Sequence, residues 1–298
     1  MADANVHVVS FDVEEYFHAE AAQLSGVRRE DWAGLSSRLQ QPVEQILQLL
    51  DESGVRATFF ILGWVAQHHP ELVRRIADAG HEVASHGMGH HMLDRLDPKS
   101  FAGELRDSRS LLEDLAGRAV FGFRAPTFSI TRRTAWALDV LADCGYAYDS
   151  SIFPIRHDRY GVPDAPRCPH WAQGPGQGRI LEIPPLTRRW LGSNLPAAGG
   201  GYLRLFPVRL IASALKQAQR ENRPGMLYLH PWELDPDHPE MGMRGLQKFR
   251  HRVNLARTAN KLKWLLDRFE FAPTADLLGR WQSSPETCQT FCYSDDPK

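Results

Sequence analysis

Short apolar strands alternate with amphipathic helices along most of the chain, and this alternation constrains the fold more than any other feature. Strand-like composition predicts strands at 6–12, 57–62, 82–85, 180–183 and 226–229, and a further short strand that ends at Arg124. Apolar residues at helical spacing predict helices at about 36–54, 70–80, 98–115, 132–144, 207–221 and 247–268. Such alternation predicts an α/β fold, with a parallel sheet and helices outside it.

A closed barrel is favoured over an open nucleotide-binding sheet, because no Rossmann glycine fingerprint and no P-loop follows any predicted strand. A barrel places the chemistry at the carboxyl ends of its strands. We expect residues 1–281 to form one catalytic domain and the polar tail at 282–298 to be poorly ordered. The proline-rich segment 153–178 is expected to be irregular and, with the glycine run 199–201, to shape a substrate groove.

The composition disfavours several classes of protein. The 35 Lys and Arg residues nearly match the 36 Asp and Glu residues, which argues against a nucleic-acid partner and a polybasic membrane surface. No apolar run approaches the ~18 residues of a membrane helix, and no signal peptide is visible, so a cytoplasmic protein is expected. The four cysteines are interpreted as free thiols, with no role assigned to Cys288 or Cys292.

Carboxylates and histidines follow two of the predicted strands. Asp12 and Glu14 project to the same side of an extended chain, although this pair alone is more typical of a solvated acidic loop. His86 and His90 are four residues apart, so both could reach one metal ion if the segment forms a helical turn. Two histidines and one carboxylate match the ligand set of a catalytic zinc site, which Glu14, His86 and His90 would supply.

Two further strand ends carry candidate residues. Arg124 ends a short strand, and its natural partner is the carboxylate that the metal does not use, Asp12. His230 follows an apolar run and taken alone is more typical of a buried core histidine. Opposite a metal site it becomes a candidate general acid. No nucleophile elbow Gly-x-Ser-x-Gly occurs to indicate a serine hydrolase.

Taken in order, these segments resemble the polysaccharide deacetylase (NodB-homology, carbohydrate esterase four) family. The resemblance is greatest to its exosortase- and exopolysaccharide-associated subgroup. The matching segments are Ser10–Glu15, Thr58–Gly63, Gly80–His90, Phe123–Pro126, Tyr148–Ser151, Leu227–Pro231 and His251–Leu262. The resemblance implies a distorted (β/α) barrel of about seven strands. It also implies metal-dependent removal of N-acetyl groups from amino sugars of a bacterial polysaccharide. One divalent metal is expected, with Zn²⁺ preferred over Co²⁺, Ni²⁺ or Mn²⁺.

The resemblance also implies roles for individual residues. Asp12 resembles the catalytic base, Arg124 the residue that orients it, and His230 the general acid. Glu14, His86 and His90 resemble the metal ligands. Four more residues are expected on the substrate side: Thr127 through its backbone N–H, Leu229 in the wall of the acetyl pocket, Asp149 as support for His230, and Trp232.

The chain departs from the family pattern at three points. Val13 separates Asp12 from a glutamate where much of the family has two adjacent aspartates. The segment after Asp149 lacks the usual tryptophan, and His91 offers a one-residue alternative to His90.

Two other functions remain open on the sequence. One is an allantoinase-like amidohydrolase that acts on a small ureide, and the other is a carbohydrate-binding barrel without turnover. We expect an N-acetylated glycan as partner, whereas the oligomeric state is left open.

Overall fold

The computed structural model describes residues 6–157, 159–283 and 289–293. This part of the chain contains eleven strands, which in chain order are β1 (Val8–Val13), β2 (Thr58–Ile61), β3 (Glu82–Ser85), β4 (Gly122–Phe123), β5 (Tyr148–Asp149), β6 (His170–Gln173), β7 (Arg179–Glu182), β8 (Thr187–Trp190), β9 (Ser193–Pro196), β10 (Met226–Leu229) and β11 (Thr290–Cys292). Seven of them form a parallel ring in the order β10-β1-β2-β3-β4-β5-β7.

The ring closes between β7 and β10. Just beyond β7, Pro185 forms a parallel bridge with Met226, and the N–H of Leu186 donates to the Met226 carbonyl at 2.9 Å. All six residues of β1 are buried, because this strand lies between two ring neighbours and is covered on both faces. The expected α/β barrel of about seven strands is therefore confirmed.

Helices surround the ring. Their bounds are α1 (Glu20–Leu24), α2 (Gln40–Glu52), α3 (Gly63–His68), α4 (Pro70–Asp78), α5 (Pro98–Ala116), α6 (Trp136–Asp143), α7 (Gly200–Leu205), α8 (Val208–Arg220), α9 (Gly245–Arg252), α10 (Thr258–Leu266) and α11 (Thr274–Ser283). Helix α5 shows how the sequence sets these bounds. Asp97 caps it by accepting from the Ser100 N–H at 2.9 Å, Pro98 occupies its first turn, and Gly117 ends it at φ 63°.

Two strands extend the sheet beyond the ring and correct two expectations. Strand β6 lies within the segment 153–178 that was expected to be irregular, and it pairs antiparallel with β7. Strand β11 lies within the tail that was expected to be poorly ordered, and it pairs with β6. Tyr293 follows it, is fully buried, and bonds to His170 at 2.7 Å, so this short aromatic stretch gains burial by joining the sheet edge. Residues 284–288, which include Cys288, and 294–298 lie outside the described ranges.

Several elements differ from the sequence prediction. The expected helix 247–268 is two helices, α9 and α10, because Asn254 between them adopts a left-handed φ of 54°. The expected helix 132–144 begins as a 3₁₀ turn at Arg132–Thr134 and continues as α6. Helices α1, α3, α7 and α11 and the hairpin β8–β9 were not predicted.

The described ranges bear on the expectations about membrane helices and cysteines. There, no helix combines the length and apolar character needed to cross a membrane. The three cysteines in these ranges, Cys144, Cys168 and Cys292, form no disulfide with one another.

Candidate active site

The predicted site residues meet at the carboxyl ends of the ring strands. Asp12 lies in β1 and Glu14 directly follows it, while His86 follows β3 and Arg124 follows β4. His230 directly follows β10. The first four are nearly inaccessible to solvent, whereas the His230 side chain is 21% exposed. The imidazole of His230 therefore faces the opening of the site.

Glu14, His86 and His90 form a cluster that fits a metal ion. One ligand atom from each residue lies within 4.8 Å of the others. Glu14 Oε2 lies 2.6 Å from His90 Nε2 and 4.0 Å from His86 Nε2. The short contact is not aligned as a hydrogen bond, and Glu14 Oε2 is a buried oxygen without a hydrogen-bond partner among the described residues. A cation between these three atoms would satisfy that oxygen, and a carboxylate with two imidazoles is a donor set suited to zinc.

The protonation states of this cluster also suit a cation. Burial lowers the pKa of His86 to about 4, so its ring is neutral at pH 7. Its Nδ1 lies 2.8 Å from the Arg124 carbonyl, which can only accept, so the proton is on Nδ1 and Nε2 keeps its lone pair toward Glu14. Burial raises the pKa of Glu14, but His90, His230 and His86 outweigh it and hold that pKa well below its usual range.

The loop that carries both histidines is not the helical turn that the spacing suggested. Gly87 and His90 have left-handed φ values of 77° and 53°, which turn the chain so that both histidines reach Glu14. Only one of the two adjacent histidines joins the cluster. His91 instead contacts the Glu104 carboxylate, so the structure brings His90 and not His91 to the cluster.

Arg124 holds Asp12, as predicted. Its Nη1 lies 2.6 Å from Asp12 Oδ1 and also donates to Ser10 Oγ at 2.8 Å, and its other nitrogens bond to Ser150. The guanidinium lies 4.0 Å from the centre of the Phe60 ring. This buried, fully bonded cation fixes the orientation of Asp12.

His230 has a carboxylate partner that the sequence did not predict. Its Nδ1 lies 3.2 Å from Glu233 Oε2, and Arg204 Nε donates to the other oxygen of Glu233 at 2.9 Å. Burial raises the pKa of Glu233, but Arg204 and His230 outweigh it and lower that pKa to about 2. Burial lowers the pKa of His230, but contact with Glu233 and the charges of Glu14 and Asp12 raise it to about 9. His230 Nε2 is 3.8 Å from Glu14 Oε1 and 3.9 Å from Asp12 Oδ2, so it faces both other parts of the site.

Asp149 does not take the expected place beside His230. The structure places it next to Ser151 Oγ at 2.5 Å and Glu182, with which it forms a buried carboxyl pair. Burial raises the pKa of Asp149 to about 6 and, together with Asp149, raises the pKa of Glu182 well above its ordinary value. Support for His230 therefore comes from Glu233, and its only sequence signal was a glutamate three residues after the histidine.

The other expected substrate-side residues have different environments. Thr127 lies in a 3₁₀ turn with φ 55°, and Leu229 is buried at the end of β10. Trp232 is mostly buried, stacks on His251 at 4.4 Å, and places its Nε1 3.4 Å from Glu14 Oε1. The structure thus places Trp232 behind a candidate metal ligand rather than on an open sugar-binding surface.

Gly199 and Gly200 are buried under the site rather than along a groove, whereas Gly201 is exposed. A Cβ on Gly200 would lie 1.9 Å from Glu233 Oε2, and a Cβ on Gly199 would lie 2.6 Å from the Tyr228 hydroxyl. The absence of a side chain at Gly200 is what lets Glu233 approach His230.

Comparison with known proteins supports the resemblance to the polysaccharide deacetylase family. Residues 35–148 match the family model "Polysaccharide deacetylase", and residues 150–279 match a domain of unknown function, DUF3473. The two matches meet at β5, inside one ring of strands. A chitooligosaccharide deacetylase from Rhizobium leguminosarum bv. trifolii is 37% identical over 98 residues, which are 33% of this chain and 43% of that relative. The chain thus spans less than half of that curated relative's length.

Solved structures show the same fold at low sequence identity. A Mycobacterium smegmatis protein assigned to the polysaccharide deacetylases is 21% identical with a TM-score of 0.66, and the match covers 100% of this chain and 96% of that one. The allantoinase Puue is 15% identical with a TM-score of 0.59, and the match covers 96% and 93%. Such likenesses establish the barrel and do not separate the two activities.

Proposed function

We propose that this protein is a metal-dependent hydrolase that removes N-acetyl groups from amino sugars of a bacterial polysaccharide, and that the polymer is an exopolysaccharide or its precursor. One observation carries the proposal: a Glu14–His86–His90 cluster fit for a cation lies between an arginine-held carboxylate, Asp12, and a carboxylate-held imidazole, His230. Zinc is the metal we propose, because neutral imidazole and carboxylate ligands suit it.

When bound, a divalent metal would polarise the acetyl carbonyl and make water more acidic. Asp12 accepts the proton of the attacking water on Oδ2, because Oδ1 is occupied by Arg124. His230 donates to the departing amine from Nε2, because Nδ1 is bound to Glu233. We assign stabilisation of the oxyanion to the Thr127 N–H and one wall of the acetyl pocket to Leu229.

The two alternative functions have less support. Ureide hydrolysis rests on the shared barrel alone, whereas the relatives matched by sequence are named as deacetylases. A binding barrel without turnover would have no need of a complete ligand cluster with an acid and a base beside it.

The test is a substrate panel. Zinc-loaded protein is incubated with chitooligosaccharides, peptidoglycan, an N-acetylated exopolysaccharide and allantoin, and released acetate and opened ureide are measured. Acetate release that requires metal supports the proposal. Ring opening of allantoin without acetate release from any glycan would refute it, as would binding of glycans without any product.

A further inference from the structure

One cavity adjoins the candidate active site, and a second cavity shares lining residues with the first. A cavity of about 300 Å³ is lined by His90, and a second of about 540 Å³ extends past residues 129–134 and the loop around Tyr160. Glu20, Met92 and Arg95 line both. Both volumes lie near or within the roughly 300–1,000 Å³ typical of ligand pockets. We call the two cavities together the arginine groove.

The charge in this groove is strongly one-sided. Two carboxylates line its described part, Glu20 and Asp94, against six arginines: Arg28, Arg29, Arg95, Arg132, Arg133 and Arg159.

Half of these arginines have carboxylate partners. Arg159 pairs with Glu20 at 2.8 Å, Arg28 pairs with Glu30 at 3.2 Å, and Arg132 pairs with Asp164.

The other three lack a carboxylate partner within the described ranges. Arg29 contacts the ring of His91 and lies 5.7 Å from the centre of the Trp32 ring. Arg95 and Arg133 are exposed, and no carboxylate of the described residues neutralises them. Their side chains are therefore available to bind an anion supplied by a ligand.

This excess is local to the active-site end of the barrel. The whole chain carries a formal charge of −1. A larger cavity at the amino-terminal end of the strands is lined by acids and bases in near balance, among them Glu44, Asp51, Arg56 and Arg75, and there Arg75 pairs with Glu44. A positive region next to the site, on a nearly neutral molecule, attracts anionic ligands to that site in particular.

We propose that the arginine groove binds carboxylate-bearing sugar units that flank the N-acetylated residue, so that the preferred substrate is an acidic polysaccharide. This inference rests on the proposed deacetylase function and names the class of its substrate. The planar guanidinium matches a carboxylate with two parallel hydrogen bonds, and uronic acid units present such carboxylates at regular intervals along a polymer. A neutral N-acetylated oligomer would leave these charges without a counterpart.

The test compares one oligosaccharide in two chemical forms. The zinc-loaded protein is incubated with an oligosaccharide of alternating N-acetylglucosamine and glucuronic acid, or with the same material after its carboxyl groups are reduced to neutral alcohols. Acetate release gives kcat/KM for each. We expect the acidic form to be preferred about tenfold at low salt, and the preference to shrink as salt screens the exposed arginines.

Substitutions locate the effect. Arg95→Ala combined with Arg133→Ala should reduce the ratio of the two kcat/KM values several-fold, mainly through KM. Arg75→Ala, an exposed arginine of the distant cavity, serves as the matched control and should leave the ratio unchanged.

Equal kcat/KM for the two forms, or a ratio that the double substitution does not change, would overturn the acidic-substrate inference and leave the deacetylase proposal intact. Acetate release from neither form, nor from chitooligosaccharides, would refute the deacetylase proposal itself.

Discussion

Replacing Glu233 by glutamine is predicted to move the alkaline limb of the pH–rate profile to lower pH. Glu233 makes the closest of the three carboxylate contacts of His230, at 3.2 Å against 3.8 and 3.9 Å for Glu14 and Asp12. A pKa near 9 in place of 6.5 corresponds to about 3 kcal/mol in favour of the charged imidazole. If Glu233 supplies about half of this free energy, its replacement lowers the pKa of His230 by about one unit.

The sign follows from the role of His230. A general acid must carry its proton, so activity is lost as pH rises through its pKa, and lowering that pKa moves this loss to lower pH. A divalent ion at Glu14 would offset the charge of that carboxylate, so the alkaline limb of the metal-loaded enzyme should lie below pH 9. All variants are therefore compared with the same metal bound. The assay is kcat/KM for acetate release from pH 5 to 10, with an NMR titration of the imidazole in metal-free protein.

The control is a substitution of Arg204, which bonds to the opposite oxygen of Glu233. Glu233→Gln and Arg204→Met each break the same buried ion pair and should each destabilise the fold by about 3 kcal/mol. They should move the limb in opposite directions, because Arg204→Met removes a cation and leaves the anion beside His230. A shift in the same direction in both variants, or in neither, would refute the assignment of Glu233.

Three other predictions concern the ligands, the base and a buried acid pair. His90→Ala should lose the bound metal by elemental analysis and its neighbour His91→Ala should keep it, so metal loss in both would contradict the ligand assignment. Asp12→Asn should lower acetate release by roughly 10²–10⁴-fold with metal retained, and near-normal turnover would exclude Asp12 as the base. Burial raises the pKa of Asp149, beside Glu182, to about 6, so the stabilising effect of its protonated form is complete below about pH 4 and is lost as pH rises through 6. The free energy of unfolding of Asp149→Asn, measured in urea, should therefore rise relative to that of the parent between pH 4 and 6, by up to about 3 kcal/mol. A difference that does not change with pH would contradict this.

Local patterns in the sequence predicted six of the seven ring strands and most of the residues at their ends. The two-residue strand β5 was not predicted, and the number of about seven strands came from the family resemblance. Apolar β-rich runs identify the strands, and the polar residue that directly follows each run marks its carboxyl end. Asp12, Glu14, His86, Arg124 and His230 were all found in this way.

The missed features depend on contacts between distant parts of the chain. Arg204 lies 29 residues before Glu233 in sequence. Their contact requires the path of α7 and the absence of a side chain at Gly200. The break between α9 and α10 arises because Asn254 tolerates a left-handed backbone while the helical pattern continues across it. Strand β11 has three residues, and a run so short is defined by the edge of β6 that it pairs with.

The most direct test of the proposed function is a metal titration of the unmodified protein. Metal is removed by a chelator, Zn²⁺ is added stepwise, and bound metal and acetate release from an N-acetylated glycan are measured on the same samples. We predict that acetate release rises in proportion to bound metal and levels off at one ion per chain. Turnover that is unchanged by removal of the metal, or a full complement of bound zinc without acetate release from any glycan, would contradict a metal-dependent deacetylase.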